Sequence, residues 1–401
     1  MTSAHPALPY GRQSISEADI AAVVDVLRSD WLTQGPAVPA FEAALAKYCR
    51  SRHAIAVNSA TSALHIACLA LGVGPGDQVW TSPNTFVASA NCAIYCGASV
   101  DFVDIDPSTY NMCPERLREK LERARRSGSL PKVVIPVHFA GQSCDMAAIH
   151  ALSQTYGFRI IEDASHAIGG HYRSEPVGCC QYSDITVLSF HPVKIITTAE
   201  GGMALTNDHR LARAMRLLRS HGITREAEDF VHAPEGPWHY EQQNLGWNYR
   251  LTDMQAALGL SQLTRLDEFV RLRRALAEHY DHCLLDLTLQ IPVTHRDCLS
   301  SHHLYVIRLP EDCGRLGRAK IFAALRETGI GVNLHYHPVH LQPFYQKLGF
   351  GPGQCPQAES HGDLAITLPL FPKMQASDVD RVCAALRAAL HEQEVAVGAS
   401  S

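Results

Sequence analysis

From residue 59 onward the chain alternates short apolar runs with longer Ala-rich or amphipathic stretches, and this constrains the fold more than any other feature. Strands are expected at Gln78–Ser82, Ser99–Val103, Val133–Val137, Phe158–Glu162, Ile185–Phe190 and Met203–Thr206, with another just before Asn58. Between them the spacing predicts helices at Ser59–Leu71, Thr85–Tyr95, Pro114–Arg126, Met146–Tyr156 and His209–Ser220. Strands joined through helices pair in parallel, and near-continuous apolar strands are buried on both faces. The class implied is α/β, with a mostly parallel sheet covered on both sides.

The flanks divide the chain further. An N-terminal arm and helix occupy residues 1–30, the helix near Ser16–Ser29 with acidic residues at its start. After a break at Trp31–Pro36, helical spacing resumes over Val38–Tyr48. Thr252–Tyr280 reads as one long helix leaving a large domain of residues 31–269. Strands at Thr288–Pro292 and Leu304–Leu309, and helices at Gly317–Thr328 and Ser377–Val395, then make a small C-terminal α/β domain, residues 270–401, with a frayed Ala-Val-Gly-Ala-Ser-Ser tail.

Composition removes several classes. Lys plus Arg total 35 against 40 Asp plus Glu, a formal charge of -5, so no bulk attraction for nucleic acid is expected. The 13 cysteines are scattered and odd in number, with no CxxC, which reads as reduced thiols in the cytoplasm. Met1–Tyr10 lacks the pattern of a signal peptide, and the long uncharged stretches Ala54–Gly76 and Gln78–Val100 are broken by polar residues, so neither secretion nor a membrane span is expected.

Three segments carry chemistry. Ser189-Phe190-His191-Pro192-Val193-Lys194 follows a central strand and runs into a Thr- and Gly-rich turn ending Glu200-Gly201-Gly202. A lysine desolvated there can act as a nucleophilic amine. Glu162-Asp163-Ala164-Ser165-His166 puts Asp163 at the C-terminal end of another strand, where open α/β sheets bind ligands, with His166 three residues on. Asn58-Ser59-Ala60-Thr61-Ser62 opens an Ala-rich helix, whose free amides and the Thr61 and Ser62 hydroxyls suit a phosphate; the P-loop and GxGxxG spacings are absent. Phe86, early in the next helix, can stack on a flat ring. A nucleophilic lysine, a carboxylate for a pyridinium nitrogen, a phosphate-binding helix start and an aromatic lid together match the needs of pyridoxal phosphate. His335, His337 and His340 are interrupted by Pro338 and have no neighbouring Cys or carboxylate, so no metal site is expected there.

From Tyr10 to about Leu390 the chain resembles the DegT/DnrJ/EryC1/StrS family of pyridoxal-phosphate sugar aminotransferases. The likeness rests on Leu32-Thr33-Gln34-Gly35, Asn58–Leu64, Thr85–Ala88, Phe102–Asp106, Glu162–His166, Ser189–Gly202 and Gly246–Asp253. It implies the aspartate-aminotransferase fold, a large domain with a seven-stranded sheet plus a small C-terminal domain, and a homodimer with shared active sites. By this resemblance Lys194 bonds to the cofactor and later moves the substrate proton. Asp163 would hold the ring nitrogen protonated, Phe86 would cover one ring face and His166 the other side or the phenolic oxygen. Ser189, Thr61 and Ser62 would hold the phosphate, completed by Asn248 of the partner subunit. A related subgroup has His in place of Lys194 and dehydrates its substrate; the lysine here implies transamination.

Within the family, His191–Gly202 and Asn333–Tyr345 are most similar to the branch that makes the pseudaminic acid precursor, although Lys194-Ile195-Ile196-Thr197-Thr198 departs from the usual Lys-Pro-Ile-Thr-Thr. The reaction implied takes UDP-2-acetamido-2,6-dideoxy-β-L-arabino-hexos-4-ulose and L-glutamate to UDP-4-amino-4,6-dideoxy-N-acetyl-β-L-altrosamine and 2-oxoglutarate. His335, Tyr336 and His337 would lie beside the sugar nucleotide, with Arg219 and His221 at the entrance. The alternatives are another nucleotide-linked 4-keto sugar (a UDP-4-keto pentose, or a bacillosamine or perosamine precursor) and a non-enzymatic regulator, which the intact Lys194 and Asp163 disfavour.

Overall fold

Seven strands form the central sheet of the computed structural model, which describes residues 6–398. They are β1 (His53–Val57), β2 (Gln78–Thr81), β3 (Ser99–Phe102), β4 (Val133–Ile135), β5 (Arg159–Asp163), β8 (Ile185–Ser189) and β9 (Gly202–Thr206), in the order β1-β9-β8-β5-β4-β2-β3. All neighbours are parallel except β9, which runs against both β1 and β8. Small pairings decorate this frame: β6 (His171–Tyr172) with β7 (Glu175–Pro176) and β12 (Cys298–Leu299), and β10 (Ile223–Thr224) with β11 (Glu241–Gln242).

The pleat sorts strand residues between two helical layers. Val79, Val133, Ile135 and Ile161 face a core shared with α3 (Ala60–Ala70), α4 (Ala88–Tyr95) and α7 (His209–Arg219). Their neighbours Trp80, Val134 and Ile160 face α5 (Pro114–Ser127) and α6 (Met146–Tyr156) on the opposite side. Burial on both faces explains the continuous apolar runs read in the sequence. At the β1 end, α2 (Ala37–Cys49) and α8 (Asp253–Leu263) close a third apolar cluster around Phe41, Leu188, Phe190 and Met203. The N-terminal α1 (Glu17–Arg28) starts in a Ser16/Asp19 capping box and packs on α8.

A second lobe is built on the antiparallel pair β13 (Tyr305–Arg308) and β14 (Ala365–Leu368), with α10 (Gly314–Glu327) and α13 (Ala376–Gly398) packed on it. Short helices α11 (Pro343–Gln346) and α12 (Pro356–Leu364) lie between them in sequence. The helix α9 (Leu266–Leu284) joins the lobes: Leu266, Phe269 and Val270 are in the large core, and Leu276, Ala277, Tyr280 and Leu284 in the small one. Leu8 also belongs to the small core and bridges Ile330.

Three expectations are corrected. The long helix over Thr252–Tyr280 is two helices, broken at Thr264–Arg265, where the Arg265 backbone departs from helical geometry (φ -109°, ψ 6°) and its guanidinium is bonded to Asp19 and the Ser14 carbonyl. Thr288–Pro292 is not a strand; only Gln290 pairs, exchanging both backbone hydrogen bonds with Arg308. Phe86 precedes α4 and is not within a helix. Residues 399–401 of the tail lie outside the described residues, and α13 continues to Gly398. Among the described residues no helix is long and apolar enough to cross a membrane.

Candidate active site

Because β1, β5 and β8 run parallel, their C-terminal ends meet along one edge of the sheet, and β9 begins at that same edge. There a cleft of about 640 Å³ opens, lined by Thr61, Phe86, Asp163, His166, Ser189, Lys194, His335, Tyr336 and His337. Its size is that of a small-molecule site. The small lobe supplies the last three residues and the large lobe the rest.

The start of α3 forms one wall. Ser59 caps the helix by accepting from the Ser62 amide, and its carbonyl takes the Ala63 amide. The Ala60 and Thr61 amides are left with no intrahelical acceptor, so the helix end presents donors and a partial positive charge to the cleft. Gly202 makes this approach possible: a Cβ there would stand 2.5 Å from the Ala60 nitrogen and the Ser59 carbonyl carbon. With the Thr61 hydroxyl and Ser189 nearby, this donor set fits a phosphate. The Ser62 hydroxyl does not join it. That group is buried against Asn58 (2.6 Å) and Ser59 (2.9 Å), and Ser59 lines the cleft in its place.

Consecutive carboxylates on β5 point to opposite faces of the sheet. Glu162 turns into the interior, bonded to His138 Nε2 (2.7 Å), Thr186 and Ser183, and is structural. Asp163 turns to the cleft, where Oδ2 accepts from the Ser89 hydroxyl and Oδ1 from Ser165, both at 2.6 Å. Ser89 is itself bonded to Thr85 at 2.8 Å. These donors fix the carboxylate while leaving it lone pairs for a cationic N–H within the cleft.

His166 sits beside it in a defined tautomer. The Ala140 amide donates to Nδ1 (3.3 Å), so the ring proton is on Nε2 and donates to the Tyr336 hydroxyl (3.1 Å). Burial, then the charges of Lys194 and His335, hold the His166 pKa well below the usual imidazole value. The ring is therefore neutral, and the Tyr336 O–H remains free to donate into the cleft.

Lys194 lies in the excursion from β8 to β9, residues 190–201, closed by bonds between Phe190 and both Thr198 and Gly201. Phe190 anchors the loop by packing on Phe41, with ring centroids 5.3 Å apart. Burial lowers the Lys194 pKa to about 8, opposed by the nearby Asp163 charge. Uncharged amine is thus available near neutral pH, as a nucleophile and proton carrier require.

Other expected residues fall elsewhere. Phe86 is 61% exposed at the cleft mouth, free to cover a flat ring. Arg219 is corrected: its guanidinium is bonded to Glu42 and the Ala56 carbonyl within the large lobe, and it does not line the cleft. His221 and Asn248 are exposed and do not line this cleft in their own chain, although the Ser220 and Asn248 backbones are bridged. His340 is buried against Glu359, so it does not converge with His335 and His337. The sequence reading missed Tyr10, His303 and Gln342, all cleft-lining, and Ser89 behind Asp163. Of these, Ser89 carried a signal, since it lies one helical turn beyond Thr85 in a segment already singled out.

A desolvated lysine, a hydroxyl-braced aspartate and a helix-end phosphate site at the C-terminal edge of such a sheet define a pyridoxal-phosphate enzyme of the aspartate-aminotransferase fold. The chain belongs to the DegT/DnrJ/EryC1/StrS aminotransferase family, which it matches over residues 13–387. It is 40% identical over 383 residues to the spore coat polysaccharide biosynthesis protein SpsC of Bacillus subtilis, covering 95% of this chain and 96% of that one. Among solved structures, Spr1654 of Streptococcus pneumoniae in its PLP-form superposes with a TM-score of 0.87 at 30% identity, covering 96% and 99% of the two chains. Helicobacter pylori PseC, an aminotransferase involved in the biosynthesis of pseudoaminic acid, gives a TM-score of 0.87 at 29% identity over 96% and 100%.

Proposed function

We propose that the chain transfers the amino group of L-glutamate to C4 of a UDP-linked 4-keto sugar, specifically UDP-2-acetamido-2,6-dideoxy-β-L-arabino-hexos-4-ulose. The observation that carries the choice of a sugar is the cleft lining. Lys194 is the sole lysine or arginine among the described lining residues, while Tyr10, Asn333, His335, Tyr336, His337 and Gln342 offer polar hydrogen-bonding groups. A polyhydroxylated acceptor pairs with such groups without a cationic clamp. The likeness to PseC supports the particular sugar. The higher identity to SpsC favours, as a second reading, the same chemistry on another nucleotide-linked 4-keto sugar.

Bound pyridoxal phosphate supplies an electron sink for the carbon that loses or gains a proton. The α3 N-terminus, Thr61 and Ser189 would hold its phosphate, Asp163 its ring nitrogen and Phe86 one ring face. Lys194, titrating near neutral pH, can take a proton at Nζ and return it to the sugar carbon. His166 holds Tyr336 so that its hydroxyl donates to a substrate oxygen. All 13 cysteines are free thiols, which supports a reducing, cytoplasmic setting.

A homodimer belongs to the same reading. Val231, Trp238, Tyr240 and Leu245 are exposed large apolar residues in the segment leading to Asn248, a surface suited to cover by a second copy. Mixing inactive Lys194→Ala and Asn248→Ala proteins should restore activity, because hybrids contain one site with both residues. No recovery, with exchange of subunits shown by mass, would remove Asn248 from the partner's site. The substrate is tested by adding the UDP-4-keto sugar to holoenzyme with L-glutamate and weighing the product. An amino sugar supports the proposal; glutamate-dependent spectral change without sugar product overturns the acceptor and leaves the aminotransferase.

A further inference from the structure

We propose that the small lobe carries a divalent metal site of the zinc class, formed by His279 and Cys283 of α9 and Asp380 of α13. His279 and Cys283 are four residues apart, so one helical face presents both. Asp380 approaches from α13, and the three donor atoms all lie within 4.8 Å of one another. The distances are 2.8 Å from His279 Nε2 to Asp380 Oδ1, and 3.7 Å from Cys283 Sγ to each of those atoms.

These separations are close to the edges of a coordination tetrahedron. Ordinary zinc bond lengths to nitrogen, sulfur and oxygen place tetrahedral ligand atoms about 3.3 Å apart for the N and O pair and about 3.5 Å for pairs with sulfur. Both sulfur edges already match, and the N to O edge needs to open by about half an ångström as a cation replaces the shared proton.

The alternative chemistry for Cys, His and Asp together is a nucleophilic relay, and the geometry excludes it. A relay uses one ring nitrogen for the thiol and the other for the carboxylate. Here both approach Nε2, converging on a common point as ligands do. The guanidinium of Arg387 lies close by, donating to the Cys283 carbonyl, but its charge is offset by Asp286, both of whose oxygens it binds at 2.6 and 2.7 Å.

Imidazole with thiolate selects zinc over magnesium or calcium. His279 and Asp380 have side chains 33% and 61% exposed, so an ion enters from solvent and the fourth position is open to water. Cys383, one turn beyond Asp380, stands beside Cys283. On binding, Cys283 gives its proton to solvent, and the ion ties the helix shared by both lobes to α13.

The test uses full-length holoenzyme stripped by a chelator and dialysed against micromolar Zn²⁺, with metal analysis and alkylation of Cys283 followed by peptide mass. The expected result is one Zn²⁺ per chain, slowed Cys283 alkylation, and no such effect of Mg²⁺. Cys283→Ser and Asp380→Asn should each weaken retention at least about tenfold, with thermal melting confirming that both fold. Zinc retained equally by both variants, or no zinc retained by the parent, overturns the proposal. Both substitutions lie away from the cleft, so aminotransferase activity reports separately on the proposed function.

Discussion

The amine of Lys194 offers a direct test of how burial prepares this site. Its pKa is lowered to about 8 from 10.5 by desolvation, against the opposing pull of Asp163. At pH 7.5 such an amine is about one quarter uncharged, whereas at the ordinary value about one in a thousand would be, a difference of roughly 240-fold in nucleophile. The cofactor-free protein can be pulsed with an amine-acylating reagent across a pH series, and the Lys194 peptide quantified by mass. Reagent decay is corrected from its hydrolysis rate measured separately at each pH. Reactivity of Lys194 should rise with a midpoint at about pH 8. In Asp163→Asn the charge that holds the proton on is gone, so the midpoint should move lower still. A midpoint at or above about pH 10, or an upward shift in Asp163→Asn, would refute the argument that desolvation dominates here.

Three further outcomes follow from packing and charge. Gly202→Ala drives a Cβ into backbone atoms of Ser59 and Ala60, so it should cost about 1–3 kcal/mol in urea unfolding and weaken cofactor retention as the α3 end is pushed away. Arg219→Met removes the partner of Glu42, whose side chain is 14% exposed, and should cost roughly 3 kcal/mol while leaving the sugar KM unchanged; a raised KM with intact stability would return Arg219 to the entrance. Burial raises the Glu162 pKa, but hydrogen bonds from His138, Ser183 and Thr186 outweigh it and set the native value below 4.5. Its contribution is therefore full above the unfolded value and lost as pH falls through the native one, so the stability gap between wild type and Glu162→Gln, read by urea midpoints, should narrow in acid.

The central sheet was legible because each strand is doubly buried and shows as an apolar run between helices. The site was legible for a related reason: Lys194, Asp163, Ser189 and Thr61 all follow strand ends, and strand ends on one edge share a cleft. What tertiary packing decides was not legible. No Pro or Gly marks the break at Arg265, whose guanidinium is tied to Asp19, 246 residues away. Arg219 ends a helix as a solvent-facing arginine would, and its partner Glu42 is 177 residues distant. Four-residue β14 ends against Pro369 and resembles a turn until it pairs with β13. Tyr10 and His303 reach the cleft from segments with no motif of their own.

The chain passes between its two lobes after Leu8 and again along α9. Both passages are tied at one place: Gln262 and Arg265 donate to the Ser14 carbonyl, and Asp19 binds Ser261, Gln262 and Arg265. The small lobe is also held directly: Asn84 accepts from the Tyr336 amide, Asp104 accepts from the Gln357 and Ala358 amides, and Val339 and Ala358 share the core of the large sheet, so His335, Tyr336 and His337 are braced over the Lys194 cleft as one packed wall.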